Sequence, residues 1–273
     1  MKDFKDKVAI VTGGGGNGIG NALVVELAKA GAHVAFCDIA NLEKTEQEIA
    51  RYDVQSYSEK VDIGDKQAVT TFVDNVVATF GRIDILINNA GIALGDLAFE
   101  EASETDLEKI TNINYWGVIH TTQRAYPHLL KSPEGAIANV SSTQGILAAP
   151  YLVPYCTTKF AVRGFTDSLR AEHKIRGIKN VTVHTVHPGA VATDITLNAD
   201  HHGSSTATFH DHLQSKGVTP QQAAQTILTG IRKNAGRIMV SDARPQDYLA
   251  RLLPTANIHV IRLMLKLKGV SPR

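Results

Sequence analysis

The sequence predicts an α/β fold in which a doubly wound parallel sheet lies between two layers of helices. Short apolar runs, typical of strands buried on both faces, alternate with longer amphipathic segments along the chain. A glycine-rich turn follows the first apolar run and leads into a helical segment. The 273 residues are 43% hydrophobic, enough for a full core. These observations predict a three-layer α/β/α sandwich of the Rossmann type, with ligands at the carboxyl ends of its strands.

Seven strands and six connecting helices follow from this alternation. Short apolar runs predict strands at residues 7–12, 33–37, 55–61, 83–87, 136–140, 181–186 and 237–240. Apolar residues at helical spacing predict helices at 19–30, 42–50, 66–80, 104–130, 155–176 and 220–233. Each helix joins two strands, as parallel pairing requires. No repeat or linker divides the chain, so residues 1–273 are predicted to form one domain.

Two segments depart from the alternation. Residues 197–216 are rich in His, Ser, Thr and Gly with weak apolar periodicity, which predicts an irregular excursion and a substrate lid at about 194–217. The C-terminal extension, at about 244–273, carries two short apolar helices punctuated by Pro245, Pro254 and Pro272. We expect this tail to pack on its own sheet or on a second subunit; membrane association is the alternative.

Composition excludes several classes of protein. There are 28 Lys+Arg against 27 Asp+Glu, so no overall basic field favours nucleic acid. Two cysteines, Cys37 and Cys156, cannot form a disulfide framework or a tetrahedral zinc site. The charged N-terminus lacks the apolar region of a secretory signal, and no apolar stretch approaches the ~18 residues of a membrane span. We therefore expect a cytoplasmic protein.

The glycine-rich turn at residues 12–20 is a candidate phosphate site. Glycines between a strand and a helix let the backbone approach a pyrophosphate at the free N–H groups of the helix. Two spacings fit: GxGxxG through Gly13, Gly15 and Gly18, or GxxxGxG through Gly14, Gly18 and Gly20. A flexible turn without a ligand is the alternative interpretation.

Asp38 ends the second strand, about 20 residues beyond the glycine turn. A carboxylate there can accept hydrogen bonds from the adenosine ribose and would repel a 2′-phosphate. Neither the glycine turn nor residues 39–42 contain Lys or Arg. This pattern favours NAD over NADP.

Ser142, Tyr155 and Lys159 carry the chemistry most directly. Tyr155 and Lys159 are four residues apart, so both lie on one face of a helix, and Ser142 follows an apolar strand. A phenol is a poor base at neutral pH, but a neighbouring ammonium stabilises the phenolate and lowers the phenol pKa. We therefore expect Lys159 to lower the pKa of Tyr155 so that Tyr155 can exchange a proton.

With these residues in view, the chain resembles the short-chain dehydrogenase/reductases over nearly its whole length. The order and spacing of several motifs agree with that family. The motifs comprise residues 12–20, Asp62-Ile63, Asn88-Asn89-Ala90-Gly91, Asn114 with Gly117, Ser141-Ser142 with Gly145, the 155–159 segment, and residues 188–193.

The resemblance implies roles for individual residues. Tyr155 would be the general acid/base, Lys159 would lower its pKa and bind the nicotinamide ribose, and Ser142 would bind the substrate oxygen. Ser142 rather than Ser141 matches the family's separation of thirteen residues before Tyr155. Asn114 would hold a water in the proton relay, and no metal takes part. The implied cofactor set comprises Gly14, Asn17, Gly18, Ile19, Gly20, Asp38, Ile39, Asp62, Ile63, Asn89, Ala90, Gly91, Tyr155, Lys159, Pro188, Gly189, Val191 and Thr193.

The glycine turn differs from the family pattern by one residue. Four residues separate Gly13 from Gly18, where the family has three. We expect the extra glycine to bulge, with Gly14 in the first-glycine role and Asn17 preceding the start of the helix.

The predicted activity is an NAD-dependent interconversion of a secondary alcohol and a ketone. Residues 146–154, between Ser142 and Tyr155, are almost wholly apolar, which favours a hydrophobic substrate. Alternatives are an NADP-dependent carbonyl reductase, a catalytically silent dinucleotide sensor, or a Rossmann-type methyltransferase or dehydratase. The resemblance implies a homodimer or homotetramer. A metal site at His201, His202, His210 and His212 is less favoured, because only Asp200 and Asp211 accompany them.

Overall fold

A computed structural model describes residues 1–39, 41–197, 199 and 206–267, with the backbone alone at 206–209, 212 and 264–267. Seven parallel strands form one sheet in the order β3-β2-β1-β4-β5-β6-β7. The predicted doubly wound α/β fold is therefore confirmed. The strands are β1 (Val8–Thr12), β2 (His33–Asp38), β3 (Ser56–Lys60), β4 (Ile85–Asn88), β5 (Gly135–Val140), β6 (Val181–Pro188) and β7 (Arg237–Val240).

Ten α-helices lie within the described part of the chain. They are α1 (Ile19–Lys29), α2 (Leu42–Ile49), α3 (Lys66–Phe80), α4 (Glu104–Thr111), α5 (Gly117–Lys131), α6 (Val153–Arg176), α7 (Thr206–Lys216), α8 (Pro220–Arg232), α9 (Ala243–Leu252) and α10 (Asn257–Leu267). Side chains cap several of them. Asp65 accepts from the first turn of α3, and Thr219 forms a capping box with Gln222 in α8.

Each face of the sheet carries its own apolar core. Neighbouring residues of β1 point to opposite faces: Val11 packs with α1 and α8, whereas Ile10 packs with α3 and α5. Both side chains are fully buried. Burial of one such side chain stabilises the fold by roughly 1.5–3 kcal/mol. The apolar runs of the sequence therefore form strands buried on both sides.

The helical stretch predicted at 104–130 is confirmed, but it contains a π turn that the sequence did not predict. Helix α4 ends at Thr111, one wide turn of π-helix spans Asn112–Trp116, and α5 continues from Gly117. A π turn inserts one residue without changing the composition of the segment, so the apolar pattern does not reveal it. Helix α6 also begins earlier than predicted, at Val153, with Pro154 in its first turn, where proline is tolerated.

The predicted excursion at 197–216 contains a helix. Residues 206–216 form α7, although their apolar periodicity is weak. Thr196 and His210 are joined by a hydrogen bond of 2.8 Å, which ties α7 to the preceding turn. His201 and His202 lie outside the described residues. The assignment of this segment as a lid remains a prediction.

Candidate active site

The crevice predicted for ligands lies at the carboxyl ends of β1 and β4, where the strand order reverses. The Thr12 hydroxyl accepts from the N–H groups of Asn89 and Ala90, each at 3.1 Å. In return, Nδ2 of Asn89 donates to the carbonyl oxygens of Thr12 at 3.0 Å and Gly13 at 3.1 Å. The loops that follow β1 and β4 are therefore joined at the floor of the crevice.

Two glycines of the turn after β1 have left-handed backbone conformations, with φ of +66° at Gly13 and +67° at Gly16. A Cβ at Gly20 would lie 1.8 Å from the carbonyl oxygen of Gly13, so no side chain fits there. Gly14 packs against the sheet, where a Cβ would lie 2.7 Å from the Cβ of Phe36. That the extra glycine bulges, with Gly14 in the first-glycine role, stays a prediction.

The N-terminus of α1 faces open space. A Cβ at Gly18 would meet nothing within 4 Å, and among the described residues no side chain caps α1 there. The first turn of α1 carries no acidic residue. Free N–H groups at a helix N-terminus attract anions. The turn therefore offers a backbone-lined place for phosphate groups.

Asp38 faces the glycine turn from the end of β2. Its Oδ2 accepts from the N–H of Gly15 at 3.0 Å, and its Oδ1 accepts from the N–H of Ile39 at 2.8 Å. The Ile39 side chain beside it is exposed. A cation also borders the turn, because Lys44 in α2 donates to the side-chain oxygen of Asn17. Lys44 lies two residues beyond the segment 39–42, which contains no Lys or Arg.

The two residues predicted to border the adenine differ in exposure. Asp62 is exposed, and its Oδ1 accepts from the N–H of Gly64 at 2.8 Å. Ile63 is buried in the core that includes α3, and its side chain contacts Gly117. Only the backbone of Ile63 is therefore available to a ligand.

Ser142, Tyr155 and Lys159 converge beyond the end of β5. Tyr155 and Lys159 lie one turn apart on α6, and Ser142 follows β5. The ammonium nitrogen of Lys159 is 5.5 Å from the centre of the Tyr155 ring and donates to the carbonyl oxygen of Val140 at 3.2 Å. The side chain of Ser142 forms a hydrogen bond with Tyr155.

Burial determines the protonation of this group. It raises the pKa of Tyr155 to about 12, and the hydrogen bond with Ser142 opposes only part of the rise. Burial lowers the pKa of Lys159 to about 8. Desolvation of the phenol therefore dominates its pKa in this structure, and the expectation that Lys159 lowers the pKa of Tyr155 stays a prediction. At pH 7 the phenol is neutral and the amine is mostly protonated.

Asn114 connects the two parts of the crevice. This buried residue lies in the π turn, where its Oδ1 accepts from the N–H of Ile92 at 2.8 Å. Its Nδ2 donates to the carbonyl oxygen of Ile92 at 2.9 Å and to Oγ1 of Thr158 at 3.2 Å. A Cβ at Gly91 would lie 3.1 Å from Oδ1 of Asn114 and 3.2 Å from Nζ of Lys159. The loop after β4 therefore contacts the glycine turn at one end and Asn114 and Lys159 at the other.

The turn that follows β5 is held by residues without an assigned role in the sequence analysis. Oγ of Ser141 donates to the carbonyl oxygen of Lys159 at 2.7 Å. Nη1 of Arg163 donates to the carbonyl oxygen of Gly145 at 3.0 Å. Arg163 follows Lys159 by four residues on α6, and that spacing is a signal that could have identified it.

His187 supports Ser142 from below. It is fully buried at the end of β6, and its Nδ1 lies 2.9 Å from the carbonyl oxygen of Ser142. Burial lowers the pKa of His187 to about 4, so the ring is neutral and Nδ1 carries the proton that it donates. His187 directly precedes Pro188-Gly189 at the carboxyl end of a strand. That position could have identified it from the sequence as a residue near the site.

An ion-pair network around Asp167 connects the turn after β5 to the sheet. The carboxylate of Asp167 accepts from Arg170 at 2.5 Å, Arg237 at 2.6 Å and Thr185 at 3.0 Å. Burial alone would raise the pKa of Asp167, but the hydrogen bonds from the two arginines hold it below its usual value. Nε of Arg163 lies 3.8 Å from the same carboxylate. The turn after β5 is thereby connected to β6 and β7.

Residues 188–193, predicted to flank the nicotinamide, are held by an unpredicted carboxylate. Oδ1 of Asp242 accepts from the N–H of Ala190 at 2.9 Å, and a Cβ at Gly189 would lie 1.9 Å from that oxygen. Val191 pairs with Val218 in an isolated parallel bridge. Asp242 is therefore the reason that this turn requires Gly189.

The wall beside Tyr155 is apolar. A small cluster separate from the two main cores contains Leu94, Leu97 and Ile110, and Tyr155 packs against it. Residues 146 and 147, between Ser142 and Tyr155, are also buried apolar side chains. The side of the crevice next to the phenol thus offers apolar contacts.

The described residues contain neither a group of metal ligands nor a membrane-spanning helix. Within residues 1–39, 41–197, 199 and 206–267, no three His, Cys, Asp or Glu side chains are grouped as metal ligands. In the same part of the chain, no helix has the length and apolar content needed to cross a bilayer.

Comparisons with known proteins agree with this architecture. Residues 7–203 match the family model described as short chain dehydrogenase. The chain is 36% identical over 259 residues to SadH of Mycobacterium tuberculosis, with 93% of each chain covered. It is 35% identical over 193 residues to the 3-oxoacyl-[acyl-carrier-protein] reductase FabG of Staphylococcus aureus, covering 70% of this chain and 76% of FabG.

The fold is also found among solved structures. A short chain dehydrogenase/reductase from Burkholderia phymatum, crystallised in complex with NAD, superimposes with a TM-score of 0.81 at 22% identity. The alignment covers 100% of this chain and 98% of that chain. On the family match and the identity to its relatives, this chain belongs to the short-chain dehydrogenase/reductase family of oxidoreductases.

Proposed function

We propose that the protein is an NAD-dependent oxidoreductase that interconverts a secondary alcohol and a ketone by hydride transfer. The observation that carries the proposal is the convergence of Ser142, Tyr155 and Lys159 at one end of a crevice. The other end holds the open N-terminus of α1 at Gly18. A proton donor and a phosphate-binding turn in one crevice are what this reaction needs.

The residues of the crevice fit a nicotinamide dinucleotide. Gly18 leaves room for the pyrophosphate, and Asp38 stands where ribose hydroxyls would donate to a carboxylate. Gly91 keeps the wall beside Lys159 free of a side chain. When bound, the dinucleotide supplies the hydride donor or acceptor.

In ketone reduction, Tyr155 acts as the general acid. Its phenol is neutral at pH 7 and can donate its proton to the carbonyl oxygen, while Ser142 hydrogen-bonds that oxygen. Addition of a hydride to the carbon and a proton to the oxygen gives the secondary alcohol. The ammonium of Lys159, near the ring, stabilises the phenolate that remains. Alcohol oxidation requires the phenolate first, and we therefore expect its rate to rise with pH.

The proposed preference for NAD rests on opposing charges at the edge of the turn. The carboxylate of Asp38 would repel a 2′-phosphate, whereas Lys44 would attract one. Asp38 binds directly to the N–H of Gly15 in the turn, whereas Lys44 reaches the turn only through Asn17. The related structure crystallised with NAD supports the same choice. An NADP-dependent carbonyl reductase is the alternative that Lys44 favours.

The proposed substrate is hydrophobic. Leu94, Leu97 and Ile110 pack against Tyr155, so a substrate oxygen at the phenol would have apolar groups beside it. The similarity to a 3-oxoacyl reductase supports a substrate with a carbonyl on an apolar chain. A screen of alcohols and ketones of graded polarity, read at the absorbance of the nicotinamide, tests this; activity confined to small polar alcohols contradicts it.

Substitution of Tyr155 tests the reaction itself. We expect Tyr155→Phe to lower kcat by about 10²–10⁴-fold, because it removes the transferable proton while keeping the ring. NAD affinity, measured by nicotinamide fluorescence, should stay unchanged. Tyr57→Phe, at a phenol that binds Glu59 on β3, is the matched control and should keep full activity. A wild-type protein that binds NADH but turns over none of the screened compounds would instead support a silent sensor.

The protein is further proposed to be a homodimer or homotetramer. Trp116 and Phe160, which lie on the π turn and α6, are 44% and 40% exposed. Exposed aromatic side chains of this size are typical of protein interfaces. Cys37 and Cys156 are free, buried thiols, which accords with the expected cytoplasmic location.

A further inference from the structure

The C-terminal tail has a charge distribution unlike the rest of the chain. All 27 acidic residues precede Tyr248, whereas five of the 28 Lys+Arg follow it. The segment after Tyr248 is therefore cationic and contains no acidic side chain, while the remainder of the chain is net acidic. Among the described residues, Arg251 pairs with Asp247 at 2.8 Å, whereas Arg262 forms no ion pair.

The tail also exposes large apolar side chains. Tyr248 and Leu252, one turn apart on α9, are 63% and 77% exposed. On α10, Ile258 and Leu263 are 49% and 58% exposed. The described side chains of α10 are all exposed or only partly buried, so none of them lies in the core of the sheet.

The cation Arg262 and apolar groups of α10 share one outward face. At 100° per residue, His259 and Arg262 lie between Ile258 and Leu263 within a single arc, and all four side chains are exposed. Burial of this arc in a protein interface would desolvate a cation. A lipid interface accepts both groups, because apolar side chains enter the acyl boundary while cations stay at the headgroup phosphates.

The tail leaves the body beside the crevice. Helix α9 follows Asp242 and packs against β7 and the Thr143–Gly145 turn. Its exposed Tyr248 and Leu252 therefore belong to a helix held firmly on the body, whereas α10 extends beyond it. If both helices bound one surface, that surface would lie next to the carboxyl ends of the strands.

We propose that this tail face, formed by Tyr248, Leu252, Ile258, Arg262 and Leu263, docks the protein peripherally on an anionic phospholipid surface. The binding needs both components: insertion of the four apolar side chains, and attraction of the acid-free segment to lipid phosphates. No helix crosses the bilayer in this arrangement.

Co-sedimentation of the full-length protein with vesicles tests the proposal. We expect binding to mixed phosphatidylcholine/phosphatidylserine vesicles, little binding to phosphatidylcholine alone, and release by high salt. Arg262→Gln should weaken binding about fivefold, which corresponds to ~1 kcal/mol for one cation near the surface. Lys179→Gln, at an exposed cation on the body, is the matched control and should bind like the wild type.

A second set of variants tests the contribution of the apolar side chains to vesicle binding. Ile258→Gln with Leu263→Gln should reduce vesicle binding at least tenfold. Ile175→Gln removes an 87% exposed apolar side chain from α6 and should change nothing. Unchanged turnover and melting temperature would show that each variant is folded.

Three results would overturn the proposal. The first is no binding to anionic vesicles, and the second is equal binding to neutral ones. The third is a lower mass of the lipid-free Ile258→Gln/Leu263→Gln variant in analytical ultracentrifugation, which would make this face an interface between copies of the chain.

Discussion

At the glycine turn the crevice is lined by backbone, whereas at Ser142 it is lined by buried side chains. Gly18 leaves open space at the start of α1, and the groups available to an anion there are backbone N–H donors, which do not titrate. At the other end, burial moves the pKa of Tyr155 and that of Lys159 in opposite directions. We therefore expect dinucleotide binding to depend on the open space at Gly18, and proton transfer to depend on the desolvation of Tyr155 and Lys159.

The largest expected effect is at the buried end. Lys159→Met should lower kcat by about 10²-fold or more, because the phenolate of Tyr155 loses the ammonium beside it. Steady-state rates at saturating NADH measure this loss. A rate close to that of the wild type would remove Lys159 from the proposed mechanism.

The same variant should be more stable at neutral pH. The folded pKa of Lys159 is about 8 against an ordinary 10.5, so the folded wild type bears a cost of up to ~3 kcal/mol below pH 8 for a buried charge. From pH 8 to 10.5 the unfolded chain holds more protons at this site, and the cost disappears. Urea unfolding should therefore show the stability advantage of the variant at pH 7 shrinking across this interval.

In the glycine turn, Gly20 has no room for a side chain, whereas Gly18 faces open space. Gly20→Ala should lower the free energy of unfolding by about 1–3 kcal/mol, because its Cβ would lie 1.8 Å from the carbonyl oxygen of Gly13. Gly18→Ala meets no neighbour and should keep stability, but its methyl group should weaken NADH binding. Thermal unfolding and NADH titration separate the two; loss of stability in Gly18→Ala would contradict the open geometry.

His187 and His184 form a matched pair on β6. Both are buried and neutral, and the pKa of each is lowered to about 4 by burial. His187 donates to Ser142, whereas His184 binds Ala235 and Thr182. We expect His187→Ala to lower kcat about tenfold or more by releasing the Ser142 turn.

The control variant His184→Ala should lose stability without that loss of rate. His187→Asn keeps an N–H donor near the position of Nδ1 and should restore part of the rate. Equal rates for the two alanine variants would show that His187 has only a structural role.

The smallest expected effect concerns the cation at the turn. Lys44→Gln should lower kcat/KM for NADP by about fivefold or less, as expected for an exposed charge, and leave NAD unchanged. Asp38→Ser should raise the use of NADP. Wild-type preference for NADP, or equal effects of Lys44→Gln on both dinucleotides, would contradict the assignment of Asp38 as the discriminating group.

Local sequence patterns predicted the elements that depend on nearby residues. The four-residue spacing of Tyr155 and Lys159 predicted that both lie on one face of a helix. The apolar run before Ser142 predicted that this serine follows a strand. The π turn at Asn112–Trp116 was missed, because inserting one residue into a helix leaves its composition unchanged. Asn114 was assigned through the family resemblance, because the residues around it in the sequence do not predict that a polar side chain is buried in a π turn there.

By itself, the sequence determined the alternation of strands and helices, the open glycine turn and the phenol–amine pair, since each arises from residues close together in the chain. The tertiary structure alone decided the pKa of Tyr155, the support of Ser142 by His187 and the close contact of Gly189 with Asp242. These depend on burial and on hydrogen bonds between segments far apart in sequence. Desolvation is a property of the assembled interior, and no local pattern records it.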